Sequence, residues 1–199
     1  MKRLFDFTMA CGLALILAVP LLLVALAVRL TSRGPILYWS DRVGRDNRIF
    51  RMPKFRSMRI DTPEVASHLL DSRKWLTPIG QFLRSSSLDE LPQLWCILKG
   101  DMSFVGPRPA LFNQHDLIEM RTKCGVHKLT PGLTGWAQIL GRDEFSSAEK
   151  TAADAWYAAH RSLRLDLEII LRTALNVVHR DGTQAVVAAA KARDNQRAA

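Results

Sequence analysis

Two adjacent carboxylates, Asp89 and Glu90, lie between two arginines, Arg84 and Arg108, in one short stretch of the chain. A carboxylate can act as a nucleophile, as an acid or base, or as a metal ligand. An arginine side chain presents a rigid fork of N–H donors that matches the oxygens of a phosphate group. This combination is typical of a site that handles a phosphorylated substrate.

The second arginine is enclosed by two prolines, Pro107 and Pro109. Proline fixes its own φ angle, so the guanidinium of Arg108 leaves a stiff loop in a narrow range of directions. We therefore expect Pro107, Arg108 and Pro109 to form a phosphate clamp.

The same carboxylates also fit a purely structural role at the start of a helix. Ser87, followed three residues later by Glu90, spells a capping box ahead of an apolar run. Pro92 argues against this register, because it would be the fifth helical residue and would remove a needed N–H. With Asp89 as the N-cap, Pro92 falls in the first turn, where no donor is missed. Spacing alone leaves capping and chemistry both open.

Three motifs recur in order along the chain: KFRSM at Lys54–Met58, SSLDELPQLWCILKGDMSFVGPRP at Ser86–Pro109, and KLTPGLTGWAQILGR at Lys128–Arg142. Together they resemble the bacterial sugar transferase family, the monotopic phosphoglycosyl transferases that start glycan assembly on a polyprenol phosphate. The resemblance runs from Lys2 to about Val178.

This resemblance implies an enzyme that moves a sugar 1-phosphate from a UDP-sugar to polyprenol (undecaprenyl) phosphate and releases UMP. The step would open the assembly of a bacterial O-antigen, capsule, exopolysaccharide or glycoprotein. Asp89 would be the nucleophile of a covalent phosphosugar intermediate. Glu90 would act as acid or base or help to hold a metal, and the sequence does not separate these roles.

The expected cofactor is Mg²⁺, with Asp89 as a ligand. A carboxylate 4 Å from a group of two negative charges is repelled by about 8 kcal/mol at an effective dielectric near 20. Cations must offset this repulsion and hold the charge that develops in the transition state. The matched motifs imply a substrate-binding set of Lys54, Arg56, Arg84, Pro107, Arg108, Pro109 and Arg142.

The glycine-rich segment from Thr130 to Trp136 is predicted to be a loop that lets the backbone approach a ligand closely. Just after it the chain departs from its relatives. Many of them have Asn-Gly-Arg-Asn, where this chain has Leu140-Gly141-Arg142-Asp143. The departure bears on which sugar is carried.

An uncharged run from Phe7 to Val28 could make a straight helix of about 33 Å, enough to cross a bilayer core of about 30 Å. A signal peptide and a spanning helix are both conceivable. We favour a re-entrant helix broken at Pro20, because proline cannot bond the carbonyl of Ile16 and neither half can cross alone. Basic residues flank both ends of the run, so both ends prefer the cytoplasm.

The expected fold class is α/β, mostly helical, with a small hairpin of Ile36–Ser40 and Arg48–Met52. Residues 1–32 form the anchor, 33–180 the catalytic domain and 181–199 a flexible tail. Helices are predicted at 63–75, 78–84, 147–161 and 166–179. The apolar face of the last helix fits either core packing or the membrane interface, as expected of interfacial amphipathic helices.

The net charge of +9 on 199 residues indicates an anionic partner, and 48% hydrophobic content fits one compact domain plus an anchor. The arginines at 42, 45, 48 and 51 are interpreted as a solvated face attracted to anionic lipid. We expect the cytoplasmic face of the bacterial inner membrane as the location, with no nucleic-acid partner, and pairing with a second copy is left open. A UDP-sugar hydrolase and a membrane-tethered nucleic-acid binder are the alternatives.

Overall fold

The computed structural model describes residues 1–62, 72–140 and 145–176. Two helices, α1 (Lys2–Ile16) and α2 (Ala18–Thr31), precede a hairpin of β1 (Leu37–Val43) and β2 (Ile49–Phe55). The remaining elements are α3 (Gly80–Ser85), α4 (Leu94–Lys99), β3 (Ser103–Val105), β4 (Ala110–Leu111), α5 (His115–Lys123), β5 (Gly132–Thr134), α6 (Trp136–Leu140), α7 (Ser147–His160) and α8 (163–176). Short 3-10 helices lie at Arg45–Asn47, Ser72–Trp75, Leu88–Gln93 and Val126–Lys128. A mostly helical α/β fold is confirmed.

The predicted hairpin is present, with longer strands than expected. Strand β1 lies between β2 and β4, and both pairings are antiparallel. In the register of the hairpin Tyr38 pairs with Lys54 and Arg42 pairs with Phe50. Because side chains alternate along a strand, Tyr38, Arg42 and Lys54 project from one face of this sheet.

The segment predicted as a glycine-rich ligand loop contains strand β5, which pairs in parallel with β3. A Cβ on Gly132 would lie 2.1 Å from the amide nitrogen of Gly106, and a Cβ on Gly135 would lie 2.2 Å from the carbonyl oxygen of Gly106. These glycines allow one backbone segment to pack against another. The close approach of a ligand is therefore not what requires glycine here.

The predicted helix break at Pro20 is wrong by three residues. Helix α1 ends at Ile16, Leu17 connects the two helices, and their axes differ by 63°. Pro20 lacks the N–H that the carbonyl of Ile16 would accept, so the interruption falls one turn before the proline. Pro20 itself lies in the first turn of α2, where no donor is needed. In the described part of the chain no single helix meets the length and hydropathy required of a membrane span, whereas this bent pair does so jointly.

Helix α1 packs on the rest of the molecule through its inner face. Ala10 is fully buried in the main core cluster, and the buried carboxylate of Asp6 accepts a hydrogen bond of 3.1 Å from the amide of Phe104. Lys2 pairs with Asp166 of α8 at 2.6 Å. Arg3 donates to the carbonyls of Ile97 and Leu98 at the end of α4. The amino-terminal end of α1 is therefore held against the domain.

Helix α8 presents a different face to the core than the apolar pattern suggested. Its buried residues are Asp166 and Ile169, and Asp166 accepts a hydrogen bond of 2.6 Å from the hydroxyl of Tyr157. These contacts set the rotation of the helix and leave a row of leucines exposed: Leu163, Leu167, Leu171 and Leu175. Core packing of Leu167, Leu171 and Leu175 is thus wrong, and the membrane-interface alternative stays a prediction.

Two other helix predictions need correction. The helix expected from Pro78 begins at Gly80 and has Ile79 at its N-cap, because the Thr77 hydroxyl is directed to the carbonyl of Ser57 at 3.3 Å. Of the helix expected at 63–75, only 72–75 is described, and it is 3-10. The predicted tail, 181–199, lies outside the described residues, and the domain boundaries stay a prediction.

Candidate active site

The two carboxylates Asp89 and Glu90, here called the dyad, lie in the first turn of the 3-10 helix Leu88–Gln93, so the expectation of a helix start is confirmed. The capping box is not formed. Ser87 is the N-cap and Pro92 is the fifth helical residue, so the expectation that Pro92 argues against this register is wrong. The Ser87 side chain, at a φ of 58°, nevertheless makes no capping hydrogen bond. Glu90 turns away from the helix start because it is bound by cations elsewhere. Of the two alternatives that spacing left open, capping by Ser87 and Glu90 is therefore excluded.

Glu90 is held by two basic side chains from different parts of the chain. Its Oε1 atom lies 2.7 Å from Lys54 Nζ on β2 and 2.9 Å from Arg108 Nη2. Burial opposes ionisation of Glu90, but Arg108 and Lys54 together outweigh it and hold the pKa of this carboxyl well below its usual range. Glu90 is thus stabilised as an anion by the two cations that it aligns.

Asp89 has the opposite environment, although it is the adjacent residue. It is 7% exposed, and within the described residues its carboxylate accepts no hydrogen bond. Burial raises the pKa of Asp89, the charge of Lys54 opposes this shift, and the neighbouring Glu90 adds to it. Pushing the pKa values of two close carboxyl groups apart is how active sites assign them different tasks.

Arg84 lies in the last turn of α3, where it complements the helix dipole, and its Nη1 lies 3.7 Å from the sulfur of Met58. Its charge also lowers the pKa of Asp89. The structure thus brings Arg84 close to the dyad, as the sequence predicted, without excluding its role at the helix end.

The loop Pro107–Pro109 is fixed by a hydrogen bond to each of its three carbonyls. The first accepts from the amide of Gly132 at 2.9 Å, the second from Arg121 Nη1 at 2.8 Å, and the third from Arg42 Nη1 at 3.3 Å. The prolines restrict φ, and these donors come from three separate elements. The direction in which the Arg108 side chain leaves the loop is therefore set by tertiary contacts as well as by proline.

Arg121 is itself part of a buried ion pair. Its Nε and Nη2 lie 3.0 and 2.6 Å from Oδ2 of Asp154 on α7. Burial raises the pKa of Asp154 and the guanidinium opposes the shift. Neither residue was predicted from the sequence, because they lie 33 positions apart in ordinary helices and form no motif.

Arg56 does not join the ion pairs of the dyad. Its Nη2 donates to the carbonyl and the hydroxyl of Ser32, at 2.9 and 2.7 Å, and the side chain is 5% exposed. This contact ties the end of β2 to the residue that follows α2. Arg142, the other expected binding residue outside the dyad motif, lies outside the described residues.

Arg42 lies beside the dyad, contrary to its interpretation as part of a solvated basic face. It is half-buried, and its charge interacts with those of Arg108 and Glu90. Alternation along the observed strands puts residues 42 and 54 on one face. The shorter predicted strands, 36–40 and 48–52, did not include either residue. By contrast, Arg51 lies on the opposite face, with its guanidinium 5.3 Å from the centre of the Trp39 ring.

The donor set at the dyad fits the expected Mg²⁺ ion in part. No group of three or more His, Cys, Asp or Glu side chains suited to a metal occurs within residues 1–62, 72–140 and 145–176. Mg²⁺ commonly takes only one or two carboxylates from the protein and completes its shell with substrate phosphates and water. Asp89 and the Oε2 atom of Glu90 can supply this minimal set.

The unpaired carboxylate of Asp89, which feels the charges of Lys54, Arg84 and Arg108, defines a site for an anionic substrate, of the kind that transferases of phosphorylated groups use. Comparison with known proteins agrees. The family model described as bacterial sugar transferase matches residues 1–180, and the chain belongs to this family. The prediction of a transferase of this family is confirmed.

Several relatives share a large part of this sequence. The chain is 39% identical over 184 residues to an uncharacterized sugar transferase, EpsL, of Bacillus subtilis, covering 92% of this chain and 90% of that one. It is 41% identical over 186 residues to an undecaprenyl-phosphate glucose phosphotransferase of Komagataeibacter xylinus, covering 86% of this chain but only 35% of the relative. It is 39% identical over 189 residues to a UDP-glucose:undecaprenyl-phosphate glucose-1-phosphate transferase of Caulobacter vibrioides, covering 90% and 70%.

Proposed function

We propose that this protein transfers a sugar 1-phosphate from a UDP-sugar to undecaprenyl phosphate in two steps. An oxygen of Asp89 attacks the phosphorus that carries the sugar, the bond from that phosphorus to the bridging oxygen breaks, and UMP leaves with the electron pair. A phosphate oxygen of the lipid then attacks the same phosphorus and displaces the Asp89 carboxylate. The products are polyprenyl diphosphate sugar and UMP.

The observation that carries this proposal is the difference in hydrogen bonding between Asp89 and Glu90. A nucleophile needs lone pairs that are not taken up by hydrogen bonds, and Asp89 accepts none from the described residues, whereas Oε1 of Glu90 is bound by both Lys54 and Arg108. Glu90 therefore orients two cations, and Asp89 is left to react.

The surrounding cations serve the incoming diphosphate. Lys54 and Arg108 are aligned by Glu90, and Arg84 adds a further positive charge near Asp89. They offset the repulsion between Asp89 and the donor phosphates, and they stabilise the charge of the leaving UMP. A Mg²⁺ ion held by Asp89 and Glu90 would supply further positive charge to the diphosphate oxygens.

The acceptor assignment rests on the named relatives and on the amino-terminal helices. Large apolar side chains are exposed along both α1 and α2, among them Leu15, Leu22 and Leu30. The two outer ends of this bent pair both contact the domain, Lys2 through Asp166 and Ser32 through Arg56. This arrangement supports a re-entrant anchor, because a spanning helix would place its ends about 30 Å apart on opposite sides of the bilayer.

UMP release tests the reaction and separates it from the alternatives. The full chain in detergent is given a panel of UDP-sugars with Mg²⁺, with and without undecaprenyl phosphate. Release that depends on the lipid, with formation of a lipid-linked sugar, is the expected result. Lipid-independent turnover would make the protein a UDP-sugar hydrolase. Absence of turnover together with salt-sensitive DNA binding would identify a nucleic-acid binder.

Labelling tests the anchor. A cysteine is placed ahead of Lys2, or at position 33 as Arg33→Cys, in a variant whose native cysteines are replaced by serine. In sealed inverted vesicles a membrane-impermeant maleimide should reach both sites from the cytoplasmic side. Labelling of the two sites from opposite sides would show a spanning helix.

A further inference from the structure

Arg42 is brought next to Arg108 by the sheet, although the two are far apart in sequence. Arg42 is on β1 and pairs with Leu111 of β4, the strand that follows the Pro107–Pro109 loop. Its Nη1 donates to the carbonyl of Pro109 at 3.3 Å, and its Nε donates to the hydroxyl of buried Ser40 at 3.0 Å. Two contacts from two elements therefore hold the guanidinium in place.

The third nitrogen of Arg42, Nη2, makes no hydrogen bond with any residue that the structure describes. Arg42 and Arg108 repel each other, and burial together with this repulsion lowers the pKa of Arg42 to about 10. Such an arrangement costs folding free energy unless an anion lies between the two groups. Glu90 is the carboxylate that attracts Arg42, and it is already shared with Lys54 and Arg108.

The charges of the cluster indicate which kind of anion would complement it. The protein groups alone, without a Mg²⁺ ion, comprise four cations, Lys54, Arg84, Arg108 and Arg42, and two carboxylates, Asp89 and Glu90, which leaves an excess of two positive charges. A diphosphate linked at both ends carries about two negative charges, and paired guanidinium forks match its oxygens in geometry as well as charge.

We propose that Arg42 binds the diphosphate of the donor nucleotide through Nη2, beside Arg108, as a second guanidinium contact. This inference rests on the proposed function, because it assigns a contact to the same donor. Its hydrogen bonds to Ser40 and to the loop carbonyl hold the fork ready before the ligand arrives, so little side-chain freedom is lost on binding.

The test measures binding rather than turnover. Inorganic pyrophosphate and UDP are titrated calorimetrically into the full chain in detergent, using wild type, Arg42→Met and Arg42→Lys. The matched control is Arg51→Met, which removes an arginine from the opposite face of the same hairpin. Removing a charge-assisted hydrogen bond should weaken both ligands about 10- to 100-fold in Arg42→Met and leave Arg51→Met unchanged. Uridine, which has no phosphate, should bind Arg42→Met and wild type alike.

The proposal would be overturned if Arg42→Met bound pyrophosphate as tightly as the wild type does. It would also be overturned if Arg42→Met lost uridine affinity as much as pyrophosphate affinity, because this would show that the substitution disrupts the Pro107–Pro109 loop. If Arg42→Met does not fold, Arg42→Lys is the deciding variant. A several-fold loss of pyrophosphate affinity in Arg42→Lys would support the guanidinium contact, and unchanged affinity would overturn it. A wild type that binds pyrophosphate in an Arg42-dependent manner but neither binds UDP nor releases UMP would refute the proposed function while leaving this contact established.

Discussion

Lys54 Nζ lies 2.7 Å from Glu90 Oε1, and this contact joins strand β2 to the 3-10 helix that carries the dyad. Both side chains are largely buried, with 17% and 19% of their surface exposed. This ion pair occupies Oε1 of Glu90 and places a cation beside Asp89, the proposed nucleophile. The pKa of Asp89 is raised and the pKa of Glu90 is lowered, so substitutions of these two neighbours should affect stability differently.

Asp89→Asn should abolish transfer without lowering stability. The folded-state pKa of Asp89 is raised, so its contribution to stability is fully present below the unfolded pKa and is lost as pH rises through the folded pKa. At neutral pH the ionised group therefore gives no stability that the amide would lose. Turnover and thermal unfolding are measured, together with trapping of a radiolabelled phosphosugar on the peptide that carries Asp89.

Asp41→Asn is the matched control for this variant, because Asp41 is exposed on β1 and belongs to no ion pair recorded in the described residues. It should retain activity and form the adduct. Retained transfer in Asp89→Asn, or a melting temperature several degrees below that of the wild type, would contradict the assignment.

Glu90→Gln should destabilise the fold, in contrast to Asp89→Asn. The pKa of Glu90 is lowered, so its stability contribution is present above the unfolded pKa and is lost as pH falls through the folded pKa. Replacing it removes the carboxylate that bonds buried Lys54 directly and leaves only the unbonded Asp89 nearby, at a cost of about 2 to 4 kcal/mol. Denaturant unfolding at neutral pH gives the value, and a change below about 0.5 kcal/mol, the usual range for surface substitutions, would refute the role.

Lys54→Met should move the acid limb of the pH–rate profile to higher pH. Asp89 must be ionised to attack, and Lys54 is the charge that most opposes the burial-driven rise of its pKa. Without Lys54 the pKa of Asp89 rises further, so activity falls away at a higher pH. The profile of kcat/KM for the UDP-sugar is the measurement. If turnover is too slow, NMR of a ¹³C-labelled aspartate carboxyl reports the same shift.

Arg51→Met is the control here, because Arg51 faces away from the dyad and stacks on Trp39. The acid limb of the pH–rate profile of Arg51→Met should coincide with that of the wild type. An unshifted limb in Lys54→Met would mean that a group other than Asp89 governs the profile.

Gly132→Ala should unfold or severely destabilise the protein. The added Cβ would lie 2.1 Å from the amide nitrogen of Gly106 and 2.3 Å from the carbonyl oxygen of Thr134, and backbone atoms cannot move aside without breaking the β3–β5 pairing. We expect a loss of about 3 kcal/mol or more. Gly12→Ala, where nothing lies within 4 Å of the new Cβ, should not destabilise the protein, because alanine favours the helix α1 more than glycine does. Equal melting temperatures for the two variants would contradict this packing.

Local features of this molecule were predictable from the sequence. The hairpin, the helix 147–160 and the start of a short helix at the dyad follow from turn residues, apolar periodicity and proline, all of which act within a few positions. The motifs that indicated Asp89, Glu90 and Arg108 are also local, and the structure places all three together.

Only tertiary packing decided that Lys54, already expected at the site, bonds Glu90, and that Arg42 joins the site. Lys54 and Glu90 are 36 positions apart, and Arg42 reaches Pro109 across 67. The same holds for α8, whose rotation follows from the bonds of Asp166 to Tyr157 and Lys2 rather than from its leucines. Apolar periodicity shows that a helix has an apolar face, but it does not show which element packs against the helix. The pKa of a carboxyl likewise depends on which distant charges the fold brings within a few ångströms.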